Sequence, residues 1–209
     1  MCNRRPWNGR SPGMSARWAL LLAALAGPAA FAGPNANTTF VLHVAPDYGP
    51  CQVADPCAPG ASPTVEITQP GVVHGIYFLV RNYGEISGLQ ADLAWPTDWT
   101  YLFEDSCPPV GLDCFHVSQH SIQCNFNCIT GGATTLMAVI YMIPGSGCFE
   151  IVESVYPGGT CVVNCQSEVE PVAESNWGRV CVGPGGINAC DAVVPVESAT
   201  WGAIKSQYR

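Results

Sequence analysis

Cysteine is the residue type of this chain with the widest range of possible chemistry. Twelve cysteines occur in 209 residues, and eleven of them follow residue 32, at positions 51, 57, 107, 114, 124, 128, 148, 161, 165, 181 and 190. Thiols in an oxidising compartment pair as disulfides, whereas cytoplasmic thiols more often bind metals or act in catalysis. Because eleven is odd, we expect one thiol that is unpaired or that links two chains.

Short sequence separations predict three of the disulfides. The favoured pairs are separated by six, seven and nine residues: Cys51 with Cys57, Cys107 with Cys114, and Cys181 with Cys190. The cysteines at 124, 128, 148, 161 and 165 stay unassigned. Four residues of extended chain span about 13 Å, and a disulfide requires its Cα atoms to lie within about 7 Å. We expect the odd thiol among these five.

The densest group of soft metal ligands is a Cys/His run. Its members are Cys114, His116, His120, Cys124 and Cys128, which on paper resemble a zinc site. In a strand the residues from Cys114 to Cys124 extend along about 33 Å, so only adjacent members of the run could bind the same ion. An oxidising compartment also favours disulfides over thiolates. We therefore predict no metal site and no cofactor.

Three aromatic residues form the best candidate for ligand binding. Trp95, Trp99 and Tyr101 lie within the sequence WPTDWTY, and exposed rings on a sandwich can stack on sugars. Large aromatic side chains are, however, most often buried in the core. The sequence leaves both interpretations open, with burial favoured.

Signals for catalysis are weak. Gly145-Ser146-Gly147 does not form a G-x-S-x-G nucleophile motif, and the four histidines have no local partner pattern. The adjacent carboxylates Glu104 and Asp105 could serve acid/base chemistry on a glycoside, although carboxylates at a strand end are usually only solvated. We assign no catalytic residue, and a small secreted hydrolase is the second alternative function.

Residues 1–32 have the pattern of a signal peptide. Four arginines precede an apolar run at 18–32, and Ala30 and Ala32 occupy the small positions before a cut at Gly33. The run is shorter than the roughly 20 residues that cross a bilayer. We expect a secreted or extracytoplasmic protein, at the cell surface or in the periplasm, without a membrane span in the mature chain.

Cleavage at this point makes the chain more acidic. It removes four of the eight basic residues and none of the sixteen acidic ones, which leaves a formal charge of −12. Nucleic acids require clustered Lys and Arg, so we exclude them as partners. The acidity leaves calcium binding open, but no EF-hand loop is present.

The remaining residues predict one all-β domain at 33–192. Ten short apolar segments alternate with Gly, Pro, Asn and Cys, at residues 40–45, 64–68, 74–82, 88–95, 99–103, 115–123, 135–143, 149–155, 160–164 and 179–182. Residues 76–80 are apolar on both faces, which is typical of a central strand. In residues 88–95 Gln90 and Asp92 fall on a wet face. The turn at 82–88 predicts that these two strands form an antiparallel hairpin.

Residues 193–209 differ from the domain in composition. Trp201, Ile204 and Tyr208 are spaced by three and four residues, which predicts a short amphipathic helix. Gly202 weakens it by about 1 kcal/mol, and a helix this short is marginal alone. It must therefore dock, either on its own domain or on a partner.

The sequence GIYFLVRNYGEISGLQADLAW, residues 75–95, resembles the early strands of bacterial cohesin-like and carbohydrate-binding-module-like sandwiches. The whole chain resembles small cysteine-rich secreted proteins of bacteria. These resemblances imply a disulfide-stapled antiparallel β-sandwich, Ig-like or cohesin-like, outside the cytoplasm. We expect a non-catalytic module for extracellular binding, adhesion or surface assembly, with an extracellular protein or a polysaccharide as its partner. The alternative is a carbohydrate-binding module that uses Trp95, Trp99 and Tyr101.

Overall fold

The computed structural model describes residues 33–45, 51, 54–107, 120–132 and 134–190, and the backbone of residues 113–118. Its strands are β1 (Thr39–Ala45), β2 (Glu66–Ile67), β3 (His74–Arg81), β4 (Glu85–Ala94), β5 (Thr100–Ser106), β6 (Asp113–Ser118), β7 (Ser121–Thr130), β8 (Thr135–Ile143), β9 (Cys148–Val152), β10 (Cys161–Val163), β11 (Val169–Pro171) and β12 (Arg179–Val182). A single-turn 3-10 helix, Glu174–Asn176, precedes β12.

The strands form two sheets that pack as a sandwich. The four-stranded sheet has the order β1-β3-β8-β5, and the long sheet has the order β11-β10-β4-β9-β12-β2. β7 pairs with β4, and β6 pairs with β7. All pairs are antiparallel except β2 with β12, which is parallel. The predicted all-β sandwich is confirmed.

β3 and β4 lie in different sheets, so the predicted hairpin between them is wrong. The chain crosses from one layer to the other after Asn82, which has a positive φ of 58°. β3 instead pairs with β1 and β8. The apolar residues of β3 and β4 therefore face each other across the core rather than pairing edge to edge.

The main core lies between the sheets. It is built from the inward side chains of both layers, including Phe40, Phe78, Leu93, Ile140 and Phe149. Each of them is at most 2% exposed. Alternation along each strand directs every second side chain into this layer.

A second apolar cluster covers the outer face of the four-stranded sheet. Val41, Tyr77 and Leu79 point away from the main core and are nevertheless buried, against Ala189 and the Cys57–Cys190 disulfide. This explains why β3 is apolar on both faces, as its sequence predicts. We call the segments that supply these covering residues, 54–58 and 188–190, the stapled cover.

The long sheet also has a covered outer face, but a polar one. Gln90 and Asp92, predicted to be wet, are only 1% and 7% exposed. The loop at 153–160 folds over them and supplies hydrogen-bond partners. The prediction is wrong because alternation within one strand cannot show that a loop more than 60 residues further along the chain covers this face.

The disulfide pairs differ from the three predicted ones. The structure joins Cys51 to Cys107, Cys57 to Cys190, Cys128 to Cys165, and Cys148 to Cys181, with Cα atoms 4.0 to 5.4 Å apart. Cys124 and Cys161 are also disulfide-bonded. The short-loop pairs are wrong because the fold brings distant segments together. None of the five unassigned cysteines is a free thiol.

Two further predictions concern residues outside the described part of the chain. The signal peptide at 1–32 and the amphipathic segment at 193–209 both lie there. Among the described residues the 3-10 turn is the only helical element, and no helix there is long and apolar enough to cross a membrane.

Candidate functional site

One surface depression lies beside β9 and β12 of the long sheet. It is a cleft of about 520 Å³, which we call the acidic groove, lined by Glu150, Ile151, Val152, Glu153, Val172, Glu174, Trp177, Gly178, Arg179 and Ile187. Three glutamates and one arginine make its lining negative. An aromatic ring and aliphatic side chains complete it.

The base of the groove is formed by a pair of strands. Glu150 and Arg179 lie opposite each other in the β9–β12 register, and Arg179 Nε lies 2.8 Å from Glu150 Oε2. Both side chains are well exposed, so this ion pair contributes at most about 1 kcal/mol to stability. The Cys148–Cys181 disulfide links the same two strands two residues away. These links hold the base in a fixed shape.

The wall of the groove is held against β1. Trp177 is 9% exposed, and its indole N–H donates to the carbonyl oxygen of Val172 at 3.1 Å. Gly178 is required here because a Cβ would lie 2.6 Å from the backbone nitrogen of Leu42. Ile187 pairs with Arg179 through two backbone hydrogen bonds and is 40% exposed. The wall thus presents apolar surface beside the carboxylates.

The three carboxylates of the groove differ in the contacts that they make within the domain. Glu153 Oε1 accepts a hydrogen bond from the backbone N–H of Thr160 at 3.2 Å, which helps to hold the loop at 153–160. Glu150 is paired with Arg179. Glu174 is exposed in the first turn of the 3-10 helix. Of the three groove glutamates, Glu174 is the one for which the described residues show neither an ion pair nor a side-chain hydrogen bond.

A second cleft of about 520 Å³ adjoins the first and shares Glu150 and Arg179 with it. Ala94, Trp95, Pro96 and Cys148 form the rest of its lining. We call it the Trp95 cleft.

Trp95 is half-buried and packs on two other rings. It stacks on Phe149 with ring centroids 5.3 Å apart, and the His120 ring lies 4.2 Å away. Of the three predicted aromatic residues, Trp95 is the one that lines a described cleft.

Trp99 and Tyr101 are placed elsewhere. Trp99 is 4% exposed, and its indole N–H donates to the carbonyl oxygen of Ser146, so it is a core residue. Tyr101 lies in β5, in the other sheet, and its hydroxyl donates to Glu104 Oε2 at 3.1 Å. Burial and the adjacent Glu104 carboxylate raise the pKa of Tyr101 to about 12. The structure does not bring the three rings onto one platform.

The other carboxylate pair is also separated. Glu104 and Asp105 are consecutive in β5, so their side chains point to opposite faces of the sheet. A glycosidase requires two carboxyl groups that converge on one bond. This geometry does not provide such a pair.

The two described cysteines of the Cys/His run are not available as zinc ligands. Cys124 and Cys128 are disulfide-bonded and cannot act as thiolate ligands. Glu85 lies close to Cys128 and Cys165, but those two sulfur atoms are joined to each other. Cys128 and Cys165 are therefore also unavailable as thiolate ligands.

The strand β5 carries a feature that the sequence interpretation missed. It lies at the edge of the four-stranded sheet, and Leu102 and Phe103 are 39% and 46% exposed. Phe103 stacks on Tyr141 of β8 with ring centroids 4.3 Å apart. We call Tyr101, Leu102 and Phe103 the β5 edge. Three consecutive apolar residues are a usable signal, because alternation forces at least one of them onto a solvent face.

Comparisons with known proteins bear on the fold alone. No family model matches this chain, and no curated protein matches its sequence. The sixth cohesin of Acetivibrio cellulolyticus scaffoldin B, solved with a dockerin, is 16% identical and has a TM-score of 0.41, over 69% of this chain and 99% of that one.

Two further solved structures give similar values. CaCohA2 from Clostridium acetobutylicum is 13% identical at a TM-score of 0.40, over 74% of this chain and all of that one. The human F-spondin reeler domain is 11% identical and has a TM-score of 0.36, over 71% of this chain and 91% of that one. The structural resemblance is to cohesin domains, as residues 75–95 predict, and to a reeler domain.

Proposed function

We propose that this protein is a secreted, non-catalytic β-sandwich module that binds an extracellular protein through the β5 edge, in adhesion or surface assembly. The observation that supports this proposal is the exposure of Leu102 and Phe103 on an edge strand. Edge strands are natural templates for a further strand, and soluble proteins usually protect them. Here two large apolar side chains are left at the edge.

Burial by a partner would make this edge favourable for binding. Removing Leu102 or Phe103 from water contributes up to about 1.5–3 kcal/mol for each full side chain, and less here because both are already half-covered. An extended partner segment would add main-chain hydrogen bonds, and its alternate side chains would contact these residues. Main-chain pairing and apolar contacts favour a protein over a polysaccharide as the partner.

The charge of the domain indicates what kind of protein it binds. Glu104 and Asp105 directly follow the β5 edge, in a chain with sixteen acidic residues. Complementary potentials speed encounter and disfavour like-charged partners. The partner segment is therefore neutral or basic.

The proposed location rests on the disulfides. Four described pairs join segments 33 to 133 residues apart. Bonds of this kind form and persist in oxidising compartments. They agree with a place outside the cytoplasm, which we assign to the cell surface or the periplasm.

A site-specific photo-cross-linker tests the proposal. The photoreactive residue p-benzoylphenylalanine replaces Phe103 in one variant and Val155 in a matched control, because Val155 is apolar and 86% exposed on a different loop. Both proteins are irradiated with the native extracellular fraction. We expect one discrete protein adduct at position 103, suppressed by excess unlabelled protein, and none at position 155.

Two results would contradict the proposal. Adducts of equal yield at both positions would indicate non-specific capture. A lack of any adduct at position 103, with the protein folded and the cross-linker active, would exclude the β5 edge as a protein-binding surface.

The second candidate function is carbohydrate binding at the Trp95 cleft. It is supported by the half-buried indole beside Glu150 and Arg179, since sugars bind to an aromatic ring flanked by charged groups. Trp95→Ala should reduce retention on an insoluble polysaccharide at least threefold, and Val155→Ser should not. Equal retention of both variants and the parent would remove this candidate.

A further inference from the structure

We infer that the acidic groove binds residues 196–209 of this same chain, with Lys205 among the groove glutamates. This inference concerns a different surface from the β5 edge and does not depend on the proposed function. It rests on the charge of the groove, the charge of the segment and the length of chain between Ile187 and Lys205.

The groove has anionic groups in excess. Glu150, Glu153 and Glu174 line it, and its one cation, Arg179, is already paired with Glu150 at 2.8 Å. Trp177 and Ile187 add apolar surface beside them. A fitting ligand carries cations interspersed with aromatic or aliphatic side chains.

Residues 196–209, VESATWGAIKSQYR, have that composition. Only four basic residues follow residue 32, and they are Arg81, Arg179, Lys205 and Arg209. Fourteen of the sixteen acidic residues lie between residues 33 and 190.

The two arginines of the domain already have anionic neighbours. Arg81 Nη1 lies 3.9 Å from Asp55 Oδ2, and Arg179 is paired with Glu150. Lys205 and Arg209 are therefore the cations left to match the excess of carboxylates. The segment also supplies Trp201, Ile204 and Tyr208 as apolar groups.

The chain that follows the groove is long enough to bring the segment back to it. Ile187, which lines the groove, is three residues before Cys190, and Cys190 is fixed to Cys57. Lys205 lies fifteen residues beyond Cys190. Fifteen extended residues reach about 50 Å, so the chain can return to the groove without strain. A tether of this length also gives an effective concentration on the order of millimolar.

A carbodiimide cross-link tests the inference, because Lys205 is the only lysine of the chain. The reagent joins a carboxylate to an amine only where the two are in contact. The full-length exported protein is treated at low concentration, and the monomer is isolated and digested for mass spectrometry. We expect an amide between Lys205 and Glu150, Glu153 or Glu174.

Matched variants locate the contact. Glu174→Gln removes an exposed groove carboxylate and should lower the yield of groove cross-links at least threefold. Glu66→Gln removes an exposed glutamate that does not line the groove, and should leave the yield unchanged. Raising the salt from 20 mM to 500 mM should reduce the yield several-fold, because exposed charges are screened.

Three results would overturn the inference. Lys205 linked mainly to carboxylates outside the groove would place the segment elsewhere. A link found only in a covalent dimer would assign the groove to the segment of a second copy. The absence of any Lys205 cross-link would show that the segment does not dock on the domain.

Discussion

The outer faces of the two sheets are covered by different means. On the four-stranded sheet Val41, Tyr77 and Leu79 are buried under the stapled cover, which is fixed by the Cys57–Cys190 disulfide. On the long sheet Gln90 and Asp92 are buried under a loop that is held by hydrogen bonds. One cover depends on covalent links and apolar contact, and the other on directional polar contacts.

This difference follows from what each face presents. Apolar contacts are non-directional, so a short irregular segment gains little from them until a covalent link limits its freedom in the unfolded chain. Gln90 and Asp92 offer donors and acceptors that fix a loop in one position, and leaving them unsatisfied would be costly. With both faces largely covered, the β5 edge and the two clefts are the described surfaces best placed for binding.

The largest effect should come from removing the stapled cover. In Cys57→Ala/Cys190→Ala, loss of this cross-link should lower the free energy of unfolding by about 4 kcal/mol, because it closes a long loop and holds apolar groups over Tyr77. Urea denaturation followed by fluorescence measures the change. A loss below about 1 kcal/mol would show that the cover does not need its disulfide.

The matched control is Cys148→Ala/Cys181→Ala. This pair joins two strands that are already hydrogen-bonded to each other, over a separation of 33 residues. We expect a smaller loss, of about 2–3 kcal/mol. A larger loss of unfolding free energy than in Cys57→Ala/Cys190→Ala would contradict the expected order of the two disulfides.

Breaking the polar cover should have an intermediate effect. Asp92 accepts hydrogen bonds from the hydroxyl of Ser154 at 3.0 Å and from the backbone N–H of Val155 at 2.9 Å. Asp92→Ala leaves the buried Ser154 hydroxyl and the Val155 N–H without this acceptor and should cost about 2–3 kcal/mol. It should also speed proteolysis within residues 153–160, which limited digestion measures.

Asp98→Asn serves as the control for this prediction. Asp98 accepts a hydrogen bond from Ser146 at 2.7 Å, but this contact is exposed, so the change should cost less than about 0.5 kcal/mol. Equal losses for the Asp92 and Asp98 variants would contradict the role of Asp92 in holding the loop.

A lower pH should reduce the folding stability through His43, by less than the Asp92 substitution does. His43 lies beside Tyr77, its Nδ1 accepts a hydrogen bond from the backbone N–H of Thr64, and burial lowers its pKa. Below the ordinary pKa of 6.5 the His43 side chain is protonated more readily in the unfolded chain than in the folded one. The free energy of unfolding therefore decreases as the pH is lowered. His43→Asn keeps an acceptor and should flatten the change between pH 7.5 and 5. An unchanged slope would contradict this role.

The smallest effect concerns the β5 edge itself. Glu104→Gln should lower the pKa of Tyr101 from about 12 towards 10 by removing an adjacent negative charge, while burial keeps it raised. In the parent, stability should decrease as the pH rises above 10, because the folded state holds this proton more tightly. Ultraviolet titration at 295 nm measures the change. An unaltered pKa would show that Glu104 does not act on this hydroxyl.

Local patterns predicted the elements well and their long-range relations poorly. The two-sided apolar character of β3 and the all-β sandwich follow from alternation and turn residues, which act within a few positions. The burial of Gln90 and Asp92 depends on a loop more than 60 residues away, and the Cys57–Cys190 pair spans 133 residues. Sequence spacing favours the shortest loops, whereas the fold pairs cysteines according to which strands and covers it brings together.

The same limit applies to the candidate site. The proximity of Trp95, Trp99 and Tyr101 in sequence suggested one platform, but the turn between β4 and β5 sends Tyr101 to the other sheet. Leu102 and Phe103 carried a local signal, since a run of three apolar residues does not fit an alternating strand. The acidic groove gathers residues from β9, the 3-10 turn and β12, which no local pattern connects.

Disulfide mapping is the most direct test of how the outer face of the four-stranded sheet is covered. The exported protein is digested without reduction, and its linked peptides are identified by mass spectrometry. We expect peptides that join Cys51 to Cys107 and Cys57 to Cys190, which place the stapled cover on the four-stranded sheet. A short loop joining Cys51 to Cys57, or Cys181 to Cys190, would contradict it.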